Sequence, residues 1–170
     1  MKELKDLDDL LYHEIQVLWS AEKLLLTGIP RMIEKATDES LKAALTQHLA
    51  ETEVHKQRLE ECAKHFGIDP DGDGNPAMKG LIAEGEKAMH KDATPETMDA
   101  TLIAGAQKIE HYEISGYGTA AHLAESRGFT FVADLLKQTL QEEQATDTKL
   151  NNLAKSVVNP KAQENYSPAQ

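Results

Sequence analysis

Seven residues of this chain have the type and spacing to hold metal together: Glu22, Glu51, His55, Glu110, Glu113, Glu143 and Asp147. Each falls on a helical stripe that is otherwise apolar. From residue 41 to 66 the stripe reads Leu41, Leu45, His48, Glu51, His55, Leu59, Cys62, Phe66, in steps of three or four throughout. A second stripe reads Leu102, Ala106, Glu110, Glu113, Tyr117, Ala121, Ala124, and a third Val132, Leu136, Leu140, Glu143, Asp147, Leu150, Ala154, Val157. Glu22 stands between Leu18 and Leu25 in the same way. Every long apolar stripe is therefore interrupted by acid near its midpoint.

Magnitudes decide what such interruptions mean. An unpaired carboxylate taken out of water costs on the order of tens of kcal/mol before it gives up its charge. Several at one level would also raise one another's pKa. No Lys or Arg shares the stripes at that level. Two divalent cations would compensate, since each can take several carboxylates and an imidazole as ligands. Glu51–His55 and Glu143–Asp147 are both four apart, which is ~6 Å along a helix on one face. They occupy equivalent places in two halves of the chain, as Glu22 and Glu110 do. This pseudo-twofold pattern is what a two-metal site in a bundle produces. His48 reads either as a supporting residue or as a contact between copies. Tyr117 reads either as a hydroxyl donor to a ligand carboxylate or as packing. His13, His65, His90, His111 and His122 have no such setting.

Four long helices must position these groups. The periodicity predicts the first from about Lys2 to Lys35, with Leu4, Leu7, Leu11, Ile15, Leu18, Glu22, Leu25 and Ile29 inward and a kink at Pro30 eased by Gly28. The second starts at Thr37 or Asp38 and stops at Gly67. Asn75-Pro76 opens a short helix to about His90, and Thr94-Pro95 opens the third long one, which ends at Arg127-Gly128. The fourth runs from about Thr130 to Val158, where Asn159-Pro160 should end it. Short links after the first and third helices make two antiparallel hairpins. The long stretch between them is one crossover carrying the short helix. The fold class is thus all-α: a ferritin-like up-down four-helix bundle over residues 1–158, followed by a polar, frayed tail at 159–170.

Composition agrees. The chain of 170 residues is 40% hydrophobic with only 5% aromatics, which suits an aliphatic helical core. Its net charge of −11 argues against nucleic acid or an anionic membrane as partner. Cys62 is the only cysteine, which excludes an intrachain disulfide and a thiolate zinc site. No apolar run reaches the ~20 residues of a membrane span, and none near Met1 reads as a leader, so a cytoplasmic location is expected.

The segments WSAEKLL, HLAETEVHKQRLE, QKIEHYEISGYGTAAHLAE and LKQTLQEEQATDTKLNNLA resemble the YciF-type ferritin-like proteins over roughly residues 5 to 158. More distantly the chain is similar to rubrerythrin, whose third helix also carries two Glu three apart. The resemblance implies a helical bundle, a homodimer, a stress-response association and no settled enzymatic activity. The chain departs from the common ferritin-like pattern, which places His three residues after the Glu of helices two and four. Those positions are Val54 and Thr146, while His55 and Asp147 come one residue later. One residue is ~100° around a helix. Either the ligands meet through another rotamer or a π-bulge, or the site is nearly all carboxylate.

The function expected is that of a dinuclear iron or manganese protein, oxidising ferrous iron or reducing peroxide. Its core would be Glu22, Glu51, Glu110 and Glu143, with Glu113, His55 and Asp147 completing the shells. Without a rubredoxin-like cysteine set, electrons must come from another protein. The alternative is a structural or interaction bundle that retains a vestigial acidic site. Asp69, Asp71, Asp73 and Gly74 match the first positions of a calcium loop, but Gly80 stands where its bidentate Glu is needed. That segment reads as a solvated acidic turn.

Overall fold

Each helix begins where a side chain can satisfy its free N–H groups. In the computed structural model, which describes residues 4–164, Asp6 caps α1 (Leu7–Lys35) by accepting from Asp8 and Asp9. Asp38 caps α2 (Glu39–Phe66), Asn75 caps α3 (Pro76–Met89) and Thr94 caps α4 (Pro95–Ser126). Gly67 closes α2 at φ 66°, a left-handed turn that lets Ile68 N–H reach Ala63 O. α5 (Thr130–Leu153) leads through a π-turn at Ala154–Val158 into α6 (Asn159–Glu164).

Three expectations are corrected. α1 starts at Leu7, not near Lys2, because Asp6 takes the cap; Leu4 and Leu7 are about half exposed rather than inward. Its other end is as expected, with α1 running through Pro30 to Lys35. At the other end, Asn159-Pro160 does not stop the chain's last helix. The π-turn adds a residue, so Asn159 N–H bonds Ala154 O five back and the chain stays helical to Glu164. The same extra residue moves the inward position from Val157 to Val158, which is buried. The rest of the expected frayed tail, 165–170, lies outside the described residues.

Polar ties fix the helix directions. Arg127 at the end of α4 pairs with Asp8 at the start of α1, so these two run antiparallel. Asp99, buried near the start of α4, accepts from Thr37 N–H (2.8 Å), Thr37 O–H (2.6 Å) and Asp38 N–H (2.9 Å). The starts of α2 and α4 therefore lie together. Lys161 of α6 reaches Asp38, which brings the end of the fourth helix there too. In cross-section the order is α1, α2, α5, α4, each packed on its two antiparallel neighbours. The link from α2 must then return along the whole bundle. α3 makes that return against α1 and α4, and buried Asn75 pins its start by donating to Val17 O and accepting from Tyr112.

The core is two apolar clusters. One, at the start of α1, contains Leu11, Ile15, Leu18, Leu59, Cys62, Tyr117 and Leu136. The other, at its end, contains Leu25, Ile29, Leu41, Leu45, Leu102, Ile103 and Leu150. A polar layer lies between them. Among the described residues no helix is long and apolar enough to cross a membrane.

Candidate metal centre

Five of the seven expected ligands meet in that layer. Glu22, His55, Glu110, Glu113 and Glu143 are each at most 1% exposed, and His48 joins them at 4%. Their donor atoms fall into two groups, each within 4.8 Å: His48, Glu110, Glu113 and Glu143 in one, Glu22, His55 and Glu143 in the other. Glu143 belongs to both. Its Oε1 lies 2.9 Å from His55 Nδ1, and its Oε2 4.0 Å from His48 Nδ1. His48 Nε2 is 3.2 Å from Glu110 Oε1, and His55 Nδ1 is 3.6 Å from Glu22 Oε1.

Glu51 and Asp147 are not brought in. Both are half-buried at the bundle's edge, where Glu51 accepts from Gln47 (2.7 Å) and Asp147 from Gln107 (3.1 Å). His48 and His55 are seven apart and point within ~20° of each other, with Glu51 turned ~40–60° to one side of them and Thr52 equally far to the other; the side of Thr52 is the one that faces the core. The inward line of α2 is Leu45, His48, Thr52, His55, Leu59, and that of α5 is Leu136, Thr139, Glu143, Thr146, Leu150. In both helices a threonine takes the place expected of an acid. Val54, at the histidine position of the common ferritin-like pattern, is 41% exposed.

Two contacts hold the layer from outside. Tyr117 donates its hydroxyl to Glu22 Oε1 from the cluster below. His55 Nε2 is 2.8 Å from Glu142 Oε2, and Arg58 grips Glu142 with both terminal nitrogens while also reaching Thr139 Oγ1 at 3.1 Å. A cation from off the stripes does therefore approach this level, but it is spent on Glu142. Glu142 and Arg58 lie off the apolar stripes, so periodicity does not find them. The one hint is their placing: Glu142 precedes Glu143, and Arg58 follows His55 by three.

Electrostatics record the crowding. Burial, then the Glu143 charge, pushes the Glu22 carboxyl up to about 8 against the pull of His55 and Tyr117. Burial and the neighbouring carboxylates hold Glu110 and Glu113 well above the usual range. Burial lowers the His48 pKa. It favours a neutral ring at His55 too, but Glu143, Glu22 and Glu142 outweigh it and push that group up to about 9. Burial likewise opposes charge on Glu143, which His55 and His48 nevertheless hold below its ordinary value.

The donor set fits divalent metal. Among the described residues, every buried side-chain polar atom without a hydrogen-bond partner lies in this layer, including both oxygens of Glu113 and both nitrogens of His48. Such orphans are rare in folded proteins and call for a partner. Carboxylate oxygen and imidazole nitrogen suit iron, manganese or zinc. The acidic turn at Asp69, Asp71 and Asp73 has no such orphan; all three are exposed and Asp71 pairs with Lys23.

Known proteins resemble the chain over almost its whole length. Residues 6–163 match the family described as Domain of unknown function (DUF892). Protein YciF of Escherichia coli strain K12 is 39% identical over 161 residues, 94% of this chain and 97% of that one. The crystal structure of the E. coli stress protein YciF superposes with a TM-score of 0.87 at 39% identity, covering 92% of this chain and 99% of that one. YcfI of Rhodopseudomonas palustris, for which a structural role has been put forward, gives 0.85 at 38%, covering 88% and 96%. A Xanthomonas campestris protein at 20% identity gives 0.71 over 94% and 98%, a likeness of fold alone.

Proposed function

The chain belongs to the family described as Domain of unknown function DUF892, and on that premise we propose that its mid-bundle layer holds two divalent ions, iron first and manganese second. The observation that carries this is the confinement of the buried, unpartnered polar atoms to one layer. Glu22, His48, His55, Glu110, Glu113 and Glu143 would be the ligands, with Glu143 shared between the two positions. Bound there, the ions would supply redox chemistry toward dioxygen or peroxide, as ferrous oxidation or peroxide reduction within a stress response.

The chain's own residues do the rest. The apolar clusters above and below keep bulk water from the layer, which strengthens every charge interaction inside it. Glu142, itself held by Arg58, engages Nε2 of His55 and leaves Nδ1 facing Glu22 and Glu143. Tyr117 holds Glu22 in place. Electrons would come from a separate donor protein, and the working unit is proposed to be a homodimer, which light scattering would test.

Metal analysis of protein purified without chelator tests the reading. About two iron or manganese ions per chain support it, with anomalous scattering at the two edges naming the element. No metal after reconstitution with either would overturn it. The second reading, a structural bundle with a vestigial acidic layer, is favoured only by the role put forward for the Rhodopseudomonas relative.

A further inference from the structure

We propose that the two ion positions are unequal and fill in a fixed order, the position of His48, Glu110, Glu113 and Glu143 before that of Glu22 and His55. The proposal rests on the layer being a metal site. It goes beyond that reading by assigning each residue to a tight or a weak position.

Donor number is the first reason. One group offers four ligand residues, the other three, and Glu143 is common to both. Three of the four are carboxylates, so the first position gathers more negative charge around a cation.

Prior commitment is the second reason. In the four-residue group the donors are idle: both oxygens of Glu113, Oε2 of Glu110 and both nitrogens of His48 lack a hydrogen-bond partner while buried. An ion arriving there loosens the 3.2 Å contact of His48 Nε2 with Glu110 Oε1 and the Glu110–Glu143 bond, while Glu113 has nothing to give up. In the other group Glu22 Oε1 already accepts from Tyr117, and His55 is tied through Nε2 to Glu142 and Arg58. His55 Nδ1 also rests 2.9 Å from Glu143 Oε1, the oxygen that a second ion would need. Glu22 Oε2 is idle here too, but an ion must part His55 Nδ1 from Glu143 Oε1 and draw on a carboxylate that Tyr117 already holds by its other oxygen.

The third reason is mutual. Once Glu143 serves the first position, its charge is partly spent, and two cations sharing one carboxylate repel. The second ion therefore meets fewer donors, engaged donors and a like charge. The half-loaded chain is a stable species over a range of metal supply. An affinity gap of about tenfold or more separates the two steps.

Titration of the full-length, metal-stripped protein with Mn(II), followed by electron paramagnetic resonance and equilibrium dialysis, tests this. The first equivalent should give the signal of an isolated Mn(II), and the second should replace it with the weakened signal of a coupled pair. His55→Gln should keep the first phase and lose the second. His48→Gln and, as an independent variant of near-equal shape, Glu113→Gln should each abolish the tight phase while circular dichroism reports an intact bundle. A pair signal from the first addition, or loss of the first phase in His55→Gln, would overturn the order and leave the metal reading standing. Dialysis showing no bound Mn(II) at any ratio, together with none for ferrous iron under anaerobic conditions, would overturn both.

Discussion

Glu113 is the residue for which the fold alone gives no use. It is fully buried, both its oxygens lack partners, and its pKa is driven up by burial and by Glu22, Glu143 and Glu110. Replacing an unsatisfied buried polar group with an apolar one of similar size recovers about 1–3 kcal/mol. We therefore expect Glu113→Leu to melt higher than the wild type when both are metal-free, and to lose the rise in melting temperature that added Mn(II) gives the wild type. Lower stability in both conditions would show that Glu113 is satisfied by the protein itself. Glu142 has the opposite character, since its bonds are made. Glu142→Ala removes one of the carboxylates that keep His55 charged. The His55 ring proton, followed by NMR in metal-free protein, should then titrate below its starting value of about 9. An unmoved midpoint would mean that Glu143 and Glu22 suffice. At this scale the sequence was legible for Glu22, Glu110, Glu113, Glu143 and His55, because a polar residue on an apolar stripe is a strong signal. It was ambiguous at Glu51 and Asp147. The steps His48–Glu51–His55 and His48–Thr52–His55 both alternate three and four, and so do Glu143–Asp147–Leu150 and Glu143–Thr146–Leu150. Only packing against the neighbouring helix chooses, and it chose the hydroxyl, which is cheaper to bury than a second carboxylate.

The helices themselves were legible to within a few residues wherever a cap marks the boundary, as at Asp38, Gly67, Asn75 and Thr94. They differ from the periodicity at Asp6, whose side chain starts α1, and at Pro160, which does not end the last helix. Proline at 160 costs its helix little, because the wider π-turn just before it has already rearranged the hydrogen bonds. The joint between elements that matters most is Asp99. One buried carboxylate satisfies two backbone N–H groups and a hydroxyl in the turn between α1 and α2, holding that turn on the start of α4. Asp99→Ala strands those donors, and we expect a loss of about 3 kcal/mol. For a chain of this size that is a fall of roughly 6–12 °C in melting temperature. Calorimetry would check it, and a change under 2 °C would assign the joint to packing alone. Metal stoichiometry should be unaffected, since the bonds of Asp99 go to Thr37 and Asp38 and not to a proposed ligand.

Across the whole molecule, the layer ties stability to pH. Glu22 has its folded pKa raised from 4.5 to about 8, and Glu110 and Glu113 are raised as well. The folded chain keeps these protons after the unfolded chain has released them, so their contribution falls as pH rises from about 4.5 through 8. His55, raised from 6.5 to about 9, adds a loss between those values. Glu143 and His48 act in the opposite sense, and their contributions are lost as pH falls. The metal-free protein should thus melt progressively lower from near pH 6 to pH 9. Saturating Mn(II), which binds the deprotonated donors, should raise the melting temperature more at pH 8 than at pH 6. Thermal scans across that range would settle it, and a metal effect that shrinks with pH would count against these donors.

The two apolar clusters carry a consequence for how the bundle comes apart. A continuous core spreads cooperativity along every helix, but here the polar layer is a seam of weak cohesion between two self-contained halves. Without ions, what crosses the seam besides backbone is a few polar ties such as Tyr117–Glu22 and His55–Glu143, so each half can loosen more readily while its counterpart stays closed. With ions bound, all four helices are fastened at one level and must open together. Cargo and clasp would then be the same object, and a cell short of metal would hold a bundle that breathes in two parts.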